Sequence, residues 1–292
     1  MQLPETNIRK QNHDDKSATL NSPLEGKGTA YILHLADSNL ILAQRNAEWC
    51  GHGPILEQDI AITNISLDLL GQARNFYQYA AELINQSTDK LLNQLTSQQI
   101  NLSTENSLAY LRTEREFKNL LLTELPVGDW AQTILRQFFF GIYQFGLYQQ
   151  LQQSNDTQLA AIAEKSLKEV SYHVKWSSEW VIRLGDGTPE SHQRMLKAIE
   201  NLWPYTGEFF MPADYENEEI IGFNLACLKQ PWLEKVYEVL EEATLLSASS
   251  AANQSNGVFM QTGGKQGIHT EHLGFILAEL QYLQRTYPGA EW

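Results

Sequence analysis

Residues 57–82 read EQDIAITNISLDLLGQARNFYQYAAE, and their spacing decides the fold class. Ile62, Ile65, Leu69, Ala73, Phe76 and Ala80, followed by Leu83, recur every three or four positions, which is one face of an α-helix. Leu67, Leu70 and Tyr77 carry apolar character beyond that face, so the helix is expected to be central in its fold. Upstream, Tyr31 to Ala36 and Leu40 to Ala43 form a second apolar pattern that runs to about Cys50. Gly51-His52-Gly53-Pro54 stops it, since Gly and Pro break helices.

Downstream, the polar stretch Asn85–Asn101 reads as a loop, and a helix is expected from Ser103-Thr104-Glu105-Asn106 to Glu124, before Pro126. Asp129 is placed to cap a helix from Trp130 to about Gln153. Asp156 or Thr157 opens the next, which reaches Leu184 and is closed by Gly185-Asp186-Gly187. Thr188-Pro189 starts another, carrying Met195, Ala198, Ile199 and Leu202. An irregular acidic stretch, Asp214 to Glu219, precedes helices near Pro231–Ser247 and His269–Arg285. No segment alternates as a strand does, and no internal repeat is visible, so the chain reads as all-α with roughly seven to nine helices.

Composition narrows the function. A net charge of −14 over 292 residues opposes nucleic acid and anionic lipid, and suits a basic partner or plain solubility. The mean hydropathy of −0.36 fits a soluble protein. Only Cys50 and Cys227 are present, which excludes a disulfide framework and fits a reducing compartment. Residues Met1–Ser22 are polar and mixed in charge, with no signal-peptide core, and residues 1–27 read as a disordered N-terminal arm. Phe138–Leu147 is about half the length of a membrane span. A cytoplasmic protein without membrane attachment is expected.

Four blocks, in order, identify a family. They are Glu48-Trp49-Cys50-Gly51-His52-Gly53-Pro54, Leu67 to Asn75 (LDLLGQARN), Lys168 to His173 (KEVSYH) and Thr262 to Gly274 (TGGKQGIHTEHLG). Together they resemble the C subunits (PaaC family) of the multicomponent 1,2-phenylacetyl-CoA epoxidase, or phenylacetate-CoA oxygenase. The resemblance covers about residue 28 to the C-terminus and leaves the arm outside. It implies a ferritin-like helical bundle with additional helices over residues 28–292. It further implies a system in which a homologous catalytic A subunit holds a di-iron centre and the substrate. A small B subunit, and a reductase with FAD and an iron–sulfur cluster fed by NADPH, complete the electron path. The C subunit would be the structural partner of A, with no cofactor of its own; a homo-oligomer stays open.

Bundles of this class take one carboxylate from each of two helices and a Glu-x-x-His pair from each of the other two. Set on this chain by resemblance, Leu69 and Gln72 stand at the first pair and Val170 and His173 at the second. Asn39 and Gly141 fall near the single carboxylates. The residues three before the seven histidines (His13, His34, His52, His173, His192, His269 and His272) are Lys10, Tyr31, Trp49, Val170, Pro189, Gln266 and His269, none of them a carboxylate. A degenerate site with apolar filling by Leu69 and Val170 is therefore expected, with neither catalytic nor metal-binding residues.

Other groups have weaker functional readings. His173 with Glu169, four apart, is a remnant ligand pair or, more simply, a buried hydrogen-bonded histidine. Glu48 and His52 share that spacing, but Gly51 interrupts them. Asn64, Asp68, Gln72, Asn75 and Glu82 form a polar stripe that lines a channel or, by default, a solvated or subunit-facing edge. Trp176 and Trp180 read as core or interface anchors. Thr262–Gly267 reads by default as a structural turn, with backbone amides that could alternatively hold an anion such as a CoA phosphate, although it is no Walker sequence. His269, Glu271 and His272 are a metal candidate weakened by Glu271 pointing off their shared face. The expected function is a non-catalytic scaffold subunit; a stand-alone di-iron oxidase and an acyl-CoA-binding helical module are the alternatives.

Overall fold

The computed structural model describes residues 23–92, 103–246, 259–288 and 290. Among them α1 (Pro23–Ala47), α2 (Leu56–Leu92), α3 (Glu105–Tyr110), α4 (Leu121–Glu124), α5 (Trp130–Leu151), α6 (Thr157–Gly185), α7 (Pro189–Leu202), α8 (Glu218–Ile221), α9 (Lys229–Glu242), α10 (Glu271–Leu280) and α11 (Tyr282–Thr286) are joined by short 3₁₀ turns, and no strand occurs. The expected all-α, ferritin-like class holds. No described helix is long and apolar enough to cross a membrane.

Four long helices form the bundle. α1 packs along α2, and α5 along α6, as two hairpins. Each hairpin is antiparallel: the Ser66 hydroxyl early in α2 donates to the Ala43 carbonyl late in α1 at 2.6 Å, while Tyr77, further along, donates to Asp37 at 2.6 Å; Trp130 at the start of α5 meets Trp176 and Trp180 late in α6, while Gly141, further along α5, lies beside the earlier Val174. Local chemistry starts these helices where the sequence indicates. The Asp129 carboxylate accepts from the Gln132 amide, Asp156 accepts from the Gln158 and Leu159 amides, and Thr188 closes a capping box with Ser191. Buried Ile62, Ile65, Leu69, Ala73, Phe76 and Ala80 face the core as their spacing predicts. Gly185 ends α6 where a Cβ would lie 2.4 Å from the Ala243 carbonyl, so α9 reaches close contact only because that residue is glycine.

Aromatic clusters anchor the periphery. Trp130 meets Trp49, Trp176 and Trp180 edge to face at 5.0, 6.2 and 6.1 Å, which makes the α6 tryptophans packing residues. The Trp176 indole donates to Gln58 at 3.1 Å.

Several expected boundaries move. α1 begins at Pro23, inside the segment read as an arm, and residues 1–22 of that arm lie outside the described residues. α2 continues to Leu92, so Asn85–Leu92 is helix and not loop; Ser87 and Thr88 return their hydroxyls to carbonyls four residues back, and Asn85 clasps Ser103 through both its amide donor and its carbonyl. The remainder of that loop, 93–102, lies outside the described residues. The helix expected over 103–124 is broken between Tyr110 and Leu121. The cause is tertiary: the Lys118 amide is taken by Asp37 at 2.8 Å, the Leu120 amide by Ser38 at 3.2 Å and the Leu121 amide by Glu208 at 2.8 Å. Donors spent on side chains of other elements cannot build an i→i−4 ladder. α9 ends at Glu242, and residues 247–258 are outside the described set. The last helix starts at Glu271, capped by Thr270, and is interrupted at Gln281, whose side-chain amide donates to the carbonyls of Ala109 and Arg112.

Candidate functional site at the bundle centre

Where α1, α2, α5 and α6 converge, the side chains are neutral. Asn39, Gln72, Gln144 and Tyr148 are all buried. Gln144 Nε2 donates to Asn39 Oδ1 at 2.6 Å and to Gln72 Oε1 at 3.0 Å. The Tyr148 hydroxyl donates to Gln72 Oε1 at 3.2 Å and accepts from Asn39 Nδ2 at 3.2 Å. Gln72 Nε2 completes the set by donating to Glu169 Oε2 at 2.8 Å. Burial raises the Tyr148 phenol well above its ordinary range, so it stays protonated and uncharged.

The positions expected from the sequence meet different fates. Leu69 and Val170 are fully buried and fill apolar volume beside this network. Asn39 and Gln72 do lie together. Gly141 is a correction: its backbone faces Val174 of α6, 3.5 Å from where a Cβ would stand, and the α5 side chain that reaches the centre is Gln144, one turn on. His173 is buried, but its partner is Asp68 of α2 (Nε2 to Oδ2, 3.0 Å) and not Glu169, which accepts from Gln72. Residues four apart on α6 point the same way, and each bonds across to α2 instead of along its own helix. The polar stripe of α2 is thus divided: Gln72 is buried, Asp68 half-buried, and Asn64 and Glu82 exposed. Glu48 pairs with Arg45 at 2.7 Å, and His52 turns to the Cys50 carbonyl.

The donor set does not suit a di-iron group. Two irons need bridging carboxylates to offset their charge, and the centre offers carboxamides and a phenol that are bonded to one another. Asp68 and Glu169 stand at its margin, already engaged with His173 and Gln72. Among the described residues no group of three or more His, Cys, Asp and Glu side chains is arranged to hold a metal ion. These residues therefore support no reaction step through a metal.

A second polar region lies on the outer side of α1, and no spacing in the chain points to it. Asp37 is fully buried with Arg112, the Tyr77 hydroxyl and the Lys118 amide around it. Glu124 takes His269 Nδ1 at 2.8 Å, the Thr270 amide and Asn119. Glu208 accepts from the backbone amides of Gly263, Gly264 and Leu121. Glu216 pairs with Lys265 at 2.8 Å, both buried. These contacts fasten the 259–272 segment to the bundle. They also bear on two of the weaker functional readings. The glycine-rich turn does hold an anion through its amides, but the anion is the chain's own Glu208, and Lys265 is buried on Glu216 away from any phosphate. His269 belongs to Glu124 and the Phe117 carbonyl, while Glu271 stays exposed, so these histidines do not assemble a metal site.

Burial shifts the titration of this region. Burial raises the Glu208 carboxyl, opposed by its three amide donors and Lys265. Burial opposes the His269 imidazolium, yet the bond and charge of Glu124 outweigh it and the pKa is raised. Burial lowers His34, whose Nδ1 donates to the Lys118 carbonyl at 2.7 Å.

One surface is unusual. Leu56, Ile60, Leu67 and Leu70 are exposed and fall within an arc of about 80° on α2, opposite its buried face. Tyr172 of α6 is exposed as well. Leu67 and Leu70, expected to be buried in a central helix, face out.

The helical bundle, its amide centre and the four sequence blocks define a class. The chain belongs to the phenylacetic acid catabolic protein family, whose model matches residues 14–292. The match enters the segment read as an arm and so extends beyond the resemblance drawn from the motifs. The chain is similar to the C subunit of the 1,2-phenylacetyl-CoA epoxidase of Escherichia coli (strain K12), with 45% identity over 267 residues, 90% of this chain and 98% of that one.

Proposed function

We propose that this chain is a non-catalytic structural subunit of a 1,2-phenylacetyl-CoA epoxidase, acting in the cytoplasm on a homologous catalytic A subunit that carries the di-iron centre. The observation that carries this reading is the bundle centre, where Asn39, Gln72, Gln144 and Tyr148 are hydrogen-bonded to one another and none of them is a bridging carboxylate. A second observation supports it. Exposed Leu56, Ile60, Leu67 and Leu70 place four large apolar side chains on one outer face of α2, and exposed apolar side chains grouped on one face suit an interaction site. The catalytic subunit is assigned to that face. Covering it would hold the partner's helices in one geometry, and rigid support of that kind keeps a metal site productive. The small B subunit and the FAD, iron–sulfur and NADPH-dependent reductase complete the system.

The test has two parts. Iron content of the chain purified alone, anaerobically and iron-replete, is expected near zero; about two irons per polypeptide, as a di-iron site requires, would restore the stand-alone oxidase reading and overturn this one. Co-expression with an A subunit should give a co-purifying complex, and Ile60→Glu with Leu67→Glu should abolish it without changing the melting temperature of the free chain. A catalytic subunit that is fully soluble and active without this chain refutes the proposal. The acyl-CoA-binding alternative loses its anchor, because Lys265 is buried on Glu216.

A further inference from the structure

A cavity of about 700 Å³ opens between α5, α6 and α9, separate from the amide centre and from the exposed α2 face. Its size lies within the range of small-molecule pockets, roughly 300–1,000 Å³. Ile142, Phe145, Val174, Ile182, Trp232 and Val239 give it an apolar floor and walls. Two glycines set its shape. Gly146 of α5 faces Leu228, where a Cβ would stand 3.6 Å from the leucine methyl, and Gly185 of α6 lies against Ala243. α9 therefore runs beside α6 in the same direction. Lys175 is ten residues before Gly185, and Lys235 eight before Ala243, roughly 15 and 12 Å from that contact at the helical rise. The two lysines thus line the cavity at nearly one level, while the exposed Glu179, one turn from Lys175, and Glu242 fall nearer the Gly185–Ala243 contact. Lys175 has no carboxylate partner among the described residues, and Lys235 meets Glu238 only in an exposed pair. The Ser178 hydroxyl, also in the lining, is buried without a hydrogen-bond partner.

We propose that this cavity binds a small amphipathic anion, with its hydrocarbon or aromatic body between α5, α6 and α9 and its anionic head between Lys175 and Lys235. The site is independent of the subunit role above. Cys227, an exposed free thiol, lies in the lining, and Cys50, equally exposed, lies on the α1–α2 turn, so the protein carries its own reporter and control. The experiment titrates the full chain with decanoate, decanol and decyltrimethylammonium by calorimetry and follows alkylation of both cysteines. Decanoate should bind saturably at one site and slow Cys227 alkylation while leaving Cys50 unchanged. Lys175→Met with Lys235→Met should weaken decanoate about tenfold and leave decanol unaffected. Gly146→Leu, which fills the cavity, should abolish binding at an unchanged melting temperature; if that variant does not fold, the lysine variant and the Cys227 protection decide. Absence of saturable binding overturns the proposal. So does equal binding of all three probes, or a Gly146→Leu chain whose main change is its oligomeric state, which would make the cavity an interface between copies.

Discussion

Replacing Lys265 with Met tests whether the 259–272 segment is held by buried charge. In the wild-type chain the ammonium lies 2.8 Å from one Glu216 oxygen and 3.1 Å from the other, and also meets the Met211 carbonyl at 3.1 Å. Both side chains are essentially inaccessible to water. Met conserves much of the volume, so the main loss is the charge. Glu216 then keeps only the Ala213 amide, at 2.9 Å, and neighbouring His34, a neutral ring at 3.7 Å whose pKa burial lowers. Breaking a buried pair on one side costs about 3–5 kcal/mol, because the surviving charge stays buried and uncompensated. For a chain of this size that corresponds to a fall of roughly 10 °C in melting temperature. Adding Glu216→Gln removes the stranded charge and keeps the acceptor for Ala213, so the double variant should return to within about 1–2 kcal/mol of wild type. The assay is urea unfolding followed by tryptophan fluorescence, with all four corners of the cycle measured. A single variant that loses less than about 1 kcal/mol, the worth of an exposed pair, would refute the reasoning. So would a double variant no better than the single.

Further outcomes rest on the same geometry. Gly264→Ala should cost about 1–3 kcal/mol, since the new Cβ would stand 2.2 Å from the Asn119 carbonyl and displace the amides that hold Glu208; chemical denaturation reads it. His269 has a raised pKa in the folded chain, so its contribution to stability is complete below the ordinary imidazole value and is lost as pH rises through the folded value. The urea midpoint of the wild type should fall across that window relative to His269→Gln, and parallel pH profiles would contradict the assignment. Leu69→Glu should destabilise by about 3 kcal/mol or more, because it places an unpaired carboxylate in a fully buried apolar position; a neutral effect in thermal melts would mean that water reaches that level of the bundle.

Legibility in the sequence varied with the range of the interaction. The caps Asp129, Asp156 and Thr188 were readable because each acts on amides within three residues. The buried stripe of α2 was readable from its period. Leu67 and Leu70 misled for the same reason: periodicity reports that a face is apolar and not what covers it. The break between α3 and α4 was invisible, since nothing in residues 111–120 forbids a helix; Asp37, Ser38 and Glu208 impose it from 80 or more residues away. No spacing relates the Glu208 and Glu216 carboxylates to the glycine turn or to Lys265.

Residue identity and local spacing were enough to establish that the chain is helical, where most helices begin, and that positions 69, 72 and 170 carry no metal-binding carboxylate or histidine. Helix propensity, capping and residue type are properties of a short stretch. What each polar group bonds was settled only by the docking of the helices. Docking gave His173 to Asp68 across 105 residues and Glu124 to His269 across 145, and brought Gln144 to the centre in place of Gly141. A buried donor or acceptor must find its partner wherever packing brings one within about 3 Å, and no local pattern encodes that proximity.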